Sequence, residues 1–279
     1  MKKKTKHAWR VVIVEIGLIL MSLIVLLPIL LAITMSLKSS GEVFSYPPTI
    51  FPNGIHFQNY LEVFQKVNMG RFLLNSFIIA ITITVGKTLF GILSGYAFAN
   101  FKFKGSSILF GLLFISLFMP AELLLIVPLF NLMRTLHWVN TYWALTIPFL
   151  ASATSTFLMR QHFLTIPKEL EDAAKIDGAG PMKFLFQILV PISKSMIGAV
   201  AAINFVYAWN LYLWPLVVTN SNDMKTVQIG LKMLMSNQSN NNWGIIMSGT
   251  LIALAPTLLL FFFVQKLFVK GLASSGLKE

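Results

Sequence analysis

Ile166 to Ser195 reads IPKELEDAAKIDGAGPMKFLFQILVPISKS. Pro167 suits the first position of a helix, where its missing N–H is not needed. Glu169, Glu171 and Asp172 load the following turn with negative charge, which the positive end of a helix dipole favours. Leu170, Ala173, Ala174 and Asp177 recur at i, i+3, i+4 and i+7, one face of an α-helix. Gly178 can adopt the left-handed conformation that ends a helix, and Pro181 bars its easy continuation. The expectation is a helix of about two to three turns. Small alanines on one stripe would let another surface come close.

Outward from this polar stretch the chain is apolar in both directions. Six runs, at 11–37, 72–99, 107–133, 141–163, 193–219 and 246–269, are long enough to cross about 30 Å of hydrocarbon as helices. Barrel strands would alternate polar and apolar residues in short segments. Val11 to Leu37 instead runs apolar almost throughout. Composition agrees. Only 11% of the 279 residues are charged, against about 25% in soluble domains. Hydrophobic residues make up 56%, and the mean hydropathy is +0.74. A soluble fold of this length could not bury so much apolar surface, and disorder needs the opposite composition. The expectation is an all-α polytopic membrane protein with six transmembrane helices, forming a single transmembrane domain over residues 1–279. The opening MKKKTKHAWR and its apolar run read as a retained first span. The run is too long for a signal peptide and lacks a small-residue cleavage site.

The formal net charge of +12 follows from topology. With the N-terminus inside, fifteen of the 22 Lys and Arg fall on inner segments, six on outer segments, and Lys87 within a span. The positive-inside rule therefore puts both termini in the cytoplasm. Nucleic acid is an unnecessary hypothesis. Without cysteine, and with four scattered histidines, no metal centre is expected.

The 164–192 loop thus lies on the inner side. An interfacial helix resting on lipid would be basic on its polar face, and this one begins acidic. Asp172-Ala173-Ala174, Gly178, Ile188 and Val190-Pro191 stand at the spacing of the EAA loop. The loop resembles that of permease subunits of bacterial ATP-binding cassette (ABC) importers, with Asp172 where Glu is usual and Val190 where Leu is usual. Other stretches resemble the permeases for sugars and related solutes: Leu73 to Phe77, Gly86 to Ala99, Met119 to Phe130, Phe157 to Phe163 and Tyr207 to Leu216. In appearance they are nearest to permeases for sn-glycerol 3-phosphate, with maltose and oligosaccharide permeases close behind. The resemblance implies a type I importer permease fold, with a core permease region at 70–270. It implies that Glu171, Asp172, Ala173, Ala174, Asp177 and Gly178 form a coupling helix docked on an ATPase. It further implies a second homologous permease, two ATPase subunits that bind ATP and Mg, and an extracytoplasmic solute-binding protein.

Val85-Gly86-Lys87-Thr88 contains GKT, but Ile81 stands where a P-loop needs glycine. No nucleotide site or other cofactor is expected in this chain, and no enzymatic activity. For the solute path, Tyr207, Asn210 or Leu211, and Trp214 share one face of a continuous helix, with Asn204 one turn before. Aromatic faces and amides suit sugars; an aromatic belt at the outer interface fits the rings equally well. Lys87 and Glu122 are ionisable groups within spans. Such groups line a solute path or gate, form a buried pair, or meet the second permease chain. A phosphate ester calls for cationic groups in the path, of which Lys87 and Arg134 are available. Gly91-x-x-x-Gly95 permits close helix packing. A rival reading, an ion-coupled secondary transporter, leaves the inner loop unexplained. A membrane enzyme would need a clustered acid, base or metal set that the sequence lacks.

Overall fold

The computed structural model describes the backbone of residues 2–119, 121–236 and 242–275, and the side chains of residues 12–119, 124–236 and 242–265. Among the described residues the chain is helical and has no strand. The helices are α1 (Lys2–Ser36), α2 (Ser40–Val43), α3 (Gln58–Lys66), α4 (Met69–Asn100), α5 (Ser106–Ser116), α6 (Ala121–Thr135), α7 (Tyr142–Thr146) and α8 (Ala153–Leu164). They continue as α9 (Glu169–Ile176), α10 (Pro181–Phe184), α11 (Val190–Ile192), α12 (Lys194–Trp209), α13 (Leu213–Val218), α14 (Val227–Ser236) and α15 (Trp243–Ser275).

Three stretches are each long and apolar enough to cross a membrane unaided: Val12–Ser36, Met69–Asn100 and Trp243–Gln265. A bent pair, Pro181–Ile192 with Lys194–Trp209 at 83°, passes the same test together. The other expected runs are interrupted, and proline is the common cause. The 107–133 run is divided between α5 and α6, because Met119 precedes Pro120 and helical backbone is disfavoured there. The 141–163 run consists of α7, a 3-10 turn at Ile147–Phe149 holding Pro148, and α8. Ser152 caps α8 by accepting a hydrogen bond from the Ser155 N–H at 3.1 Å. In the 193–219 run α12 ends at Trp209 and α13 begins at Leu213. Pro215 has no N–H to offer the Leu211 carbonyl, and its ring excludes that carbonyl from helical register. The expected single helical face through Tyr207, Asn210 or Leu211, and Trp214 is therefore corrected: the helix stops between them.

Two compact units divide the chain: Met1–Asn68 with Leu231–Leu254, and Met69–Gly230 with Ala255–Glu279. In the first, the buried Asn59 amide donates to the carbonyls of Ser36 (2.7 Å) and Lys38 (2.8 Å), tying α3 to the end of α1. The Ser248 hydroxyl reaches the Ser36 carbonyl from α15. None of the most apolar stretch of Val12–Ser36 is buried, so its surface is left to lipid or to another chain.

In the second unit α4 is the central element. It packs against α8 through its glycines: a Cβ on Gly91 would stand 2.6 Å from Ser155 Cβ, and one on Gly95 2.7 Å from Met159 Cβ. Only glycine permits this approach, as the Gly91–Gly95 spacing anticipates. Between α4, α8 and α12 lies a polar knot. The Asn204 amide donates to Thr88 Oγ1 at 3.2 Å and shares hydrogen bonds with Ser155 Oγ at 3.0 and 3.2 Å. Ser94 and Thr156 hydroxyls meet at 2.7 Å nearby. At one end of this bundle Ile92, Tyr96, Met159, Phe163, Phe184, Leu185 and Leu189 pack together around Ala174 of α9.

Candidate functional site

Two features of the second unit bear on function. The first is a cavity of about 210 Å³. Lys87 of α4, Leu125 and Leu129 of α6, Phe149, Tyr207 of α12 and Trp214 of α13 line it. The Lys87 ammonium sits 3.4 Å from the centre of the Tyr207 ring, and the side chain is only 8% exposed. Attraction between a cation and an aromatic face, worth about 2 kcal/mol when desolvated, helps hold the charge there. Trp214 is buried and donates its indole N–H to the Ala144 carbonyl at 2.9 Å. It therefore presents ring surface, with Phe149 edge-on at 6.1 Å.

Lys87, Tyr207 and Trp214 are thus brought together across the break between α12 and α13. Asn204 and Asn210 are not. Asn204 is spent in the interhelical knot. Asn210 is exposed; its Nδ2 donates to the Val206 carbonyl at 2.8 Å and its Oδ1 accepts from Gln228 at 3.3 Å. The Glu122 side chain lies outside the described residues. Phe149 and the α6 leucines, which sequence reasoning misses, enter the wall because chain breaks fold distant segments against α4.

The second feature is α9, eight residues long. It opens with Glu171 and Asp172 N–H groups bonded to the Lys168 carbonyl at 2.9 and 3.0 Å. It closes at Gly178, whose φ of +72° is the left-handed conformation expected there. The structure divides the six proposed docking residues. Ala174 is buried in the apolar cluster. Glu171 turns the same way: its Oε2 accepts from Asn100 Nδ2 at 2.9 Å, and Lys175 Nζ pairs with its Oε1 at 2.9 Å. Asp172, Ala173, Asp177 and Gly178 are exposed, together with Ile176, which is 88% exposed. The exposed face of α9 thus carries one large apolar side chain, Ile176, among Asp172, Ala173, Asp177 and Gly178, while the opposite face is anchored to the bundle.

Burial alone would raise the Glu171 pKa, but the hydrogen bonds from Lys175 and Asn100, with the nearby lysine charges, outweigh it and hold the carboxyl below its usual value. The bond to Glu171 raises the Lys175 ammonium correspondingly. Asn100 is a residue that sequence reasoning misses. Its one clue is an amide closing a long apolar run.

Residues 87–274 match the family described as "Binding-protein-dependent transport system inner membrane component". The chain belongs to this family. The matched region includes α8, α9, α12 and the cavity residues from Lys87 onward. This inner membrane component is 40% identical over 266 residues to the sn-glycerol-3-phosphate transport system permease protein UgpE of Rhizobium meliloti (strain 1021), covering 92% of the chain and 94% of that protein. It is 37% identical over 268 residues to the protein of that name from Yersinia pestis bv. Antiqua (strain Antiqua), covering 94% and 95%. Its fold is similar to that of a bacterial ABC transporter involved in the import of the acidic polysaccharide alginate. The TM-score is 0.79 at 21% identity, over 91% of this chain and 95% of that one. The inner membrane component is therefore a multi-pass transport subunit, and the rival of a self-sufficient ion-coupled carrier is set aside.

Proposed function

We propose that this chain is one permease subunit of an ABC importer that carries sn-glycerol 3-phosphate inward across a bacterial plasma membrane. The observation that carries the solute assignment is identity of 37–40% across more than nine-tenths of the chain to permeases named for that compound. The cavity supports it. Its wall combines the Lys87 ammonium with the rings of Tyr207, Phe149 and Trp214, a cation for the phosphate and apolar faces for the carbon skeleton. The path residues are Lys87, Tyr207 and Trp214; Asn204 and Asn210, at one helical turn before and after Tyr207, are bonded elsewhere, and Glu122 lies between Lys87 and Tyr207 in sequence.

In this reading both termini are cytoplasmic. A second permease completes the pore, and an extracytoplasmic binding protein delivers the solute. Two ATPase subunits bind ATP and Mg²⁺, so the permease itself performs no covalent chemistry. Closure of the ATPase dimer drives the coupling helices together and rocks the spans from inward-open to outward-open. The outward face of α9 (Asp172, Ala173, Ile176, Asp177 and Gly178) docks on the ATPase, while Glu171 and Ala174 hold α9 to its own permease.

The test separates those two faces. Ile176→Glu should leave the chain folded and inserted, yet abolish co-purification of the ATPase from mild-detergent membranes and stop uptake of labelled sn-glycerol 3-phosphate. Ala174→Arg should instead lower the yield of folded chain, because a buried methyl cannot become a guanidinium. Unchanged ATPase capture and uptake in Ile176→Glu would remove α9 as the docking helix. A loaded binding protein that retains a different solute would overturn the solute assignment alone.

A further inference from the structure

The coupling helix and the cavity share one structural member. The 32-residue α4 carries Lys87 in the cavity wall and ends at Asn100, the residue that grips Glu171 of α9. The two positions are thirteen apart in sequence, about 20 Å at 1.5 Å per residue, with no proline between them. Three contacts fasten the Asn100 end of α4 to α9 and to the start of α10. Asn100 Nδ2 donates to Glu171 Oε2 at 2.9 Å, the Tyr96 hydroxyl donates to the Pro181 carbonyl at 3.3 Å, and Ala174 is buried in the cluster that contains Ile92 and Tyr96. Lys175 holds the other carboxylate oxygen of Glu171 at 2.9 Å, so the acceptor is kept ionised and aimed. Displacement of α9 is therefore delivered to α4 at its end, and α4 is closely packed along its length by Gly91 and Gly95 against α8.

We infer that the Asn100–Glu171 hydrogen bond is the latch through which movement of the coupling helix reaches the solute cavity, with α4 as the rod. Asn100 and Glu171 are positioning residues: they touch neither solute nor nucleotide. Breaking the latch lets the ATPase cycle while the cavity wall lags. This rests on the reading of α9 as the ATPase-coupling helix.

The test uses the assembled importer in proteoliposomes with binding protein and sn-glycerol 3-phosphate. ATP hydrolysed and solute taken up are measured in the same vesicles. In Asn100→Ala the ATPase should continue, while ATP consumed per solute rises by roughly 2- to 30-fold, the span seen for substitutions along coupling networks. Asn100→Asp, which sets two carboxylates face to face, should be worse. Adding Glu171→Gln to Asn100→Asp reverses donor and acceptor and should bring the ratio back toward that of the unmodified importer. A purely structural role would lower ATPase and uptake together and leave the ratio unmoved. That result, or an exchange pair no better than Asn100→Asp alone, overturns the latch. Ile176→Glu is run alongside. If it too leaves ATPase assembly and uptake intact, the coupling-helix reading has failed; if it abolishes them while the Asn100 series is silent, only the latch has failed.

Discussion

Gly91 and Gly95 offer the sharpest test of the packing described here. A Cβ on Gly91 would lie 2.6 Å from Ser155 Cβ and 3.1 Å from the Ser155 carbonyl carbon. One on Gly95 would lie 2.7 Å from Met159 Cβ and 2.9 Å from the Arg160 nitrogen. Carbon atoms prefer about 3.5–4.0 Å, so α8 must retreat by about 1 Å, since the backbone atoms among these neighbours cannot rotate away. Overpacking of this kind costs about 1–3 kcal/mol. Alanine returns about 1 kcal/mol of helix propensity over glycine, leaving a net loss of about 1 kcal/mol per substitution. For a chain of this size that is a fall in Tm of roughly 2–4 °C. The same retreat strains the Ser94–Thr156 and Asn204–Ser155 hydrogen bonds. Gly111→Ala on α5 is the control, because nothing lies within 4 Å of its Cβ position; it should be neutral or slightly stabilising. The assay is thermal unfolding in mild detergent, followed by tryptophan fluorescence. If Gly91→Ala and Gly95→Ala melt with Gly111→Ala at or above the unmodified chain, the close approach of α4 and α8 is wrong.

Asn75 is fully buried and donates to the carbonyls of Asp223 (2.7 Å) and Lys225 (2.8 Å), while accepting from the Tyr142 hydroxyl at 2.7 Å. Asn75→Leu strands three polar groups, so a loss of about 2 kcal/mol or more is expected, read as a lower unfolding midpoint and faster proteolysis of the 219–226 segment. Glu171 carries a pH prediction. Its folded pKa is held below the ordinary glutamate value, so its contribution is fully present above the unfolded pKa and lost as pH falls through the folded one. Protection of α9 amides against hydrogen exchange, after correction for intrinsic rate, should therefore be flat from neutral pH down to the ordinary glutamate range and drop only below it. Loss of protection near pH 6 would show that the carboxylate is not held by Asn100 and Lys175.

Much of the architecture was legible in the residues. Apolar runs too long for a soluble core announced membrane helices, because lipid is the solvent that accepts them. The α9 turn was equally readable: its acidic start and Gly178 act through the local backbone, which needs no distant partner. The Gly91–Gly95 spacing also told its packing correctly. Periodicity failed where proline intervenes. A helical face drawn through Tyr207, Asn210 and Trp214 assumed continuity that Pro215 denies, and the cavity then collected Lys87, Phe149 and Trp214 from segments far apart in sequence.

The direction each α9 residue faces was likewise beyond the sequence. Periodicity placed Ala173 and Ala174 on one stripe, but which of them meets the body of the permease depends on where α4 and α8 stand. Tertiary packing buried Ala174, turned Glu171 toward Asn100 and left Ile176 bare. The sequence by itself therefore determined the solvent, the long unbroken helices and the local caps, which arise from composition and near-neighbour backbone chemistry. Only the tertiary structure decided which side chains share the cavity and which end of α4 is tied to α9, because those relations depend on contacts between residues that no periodicity connects.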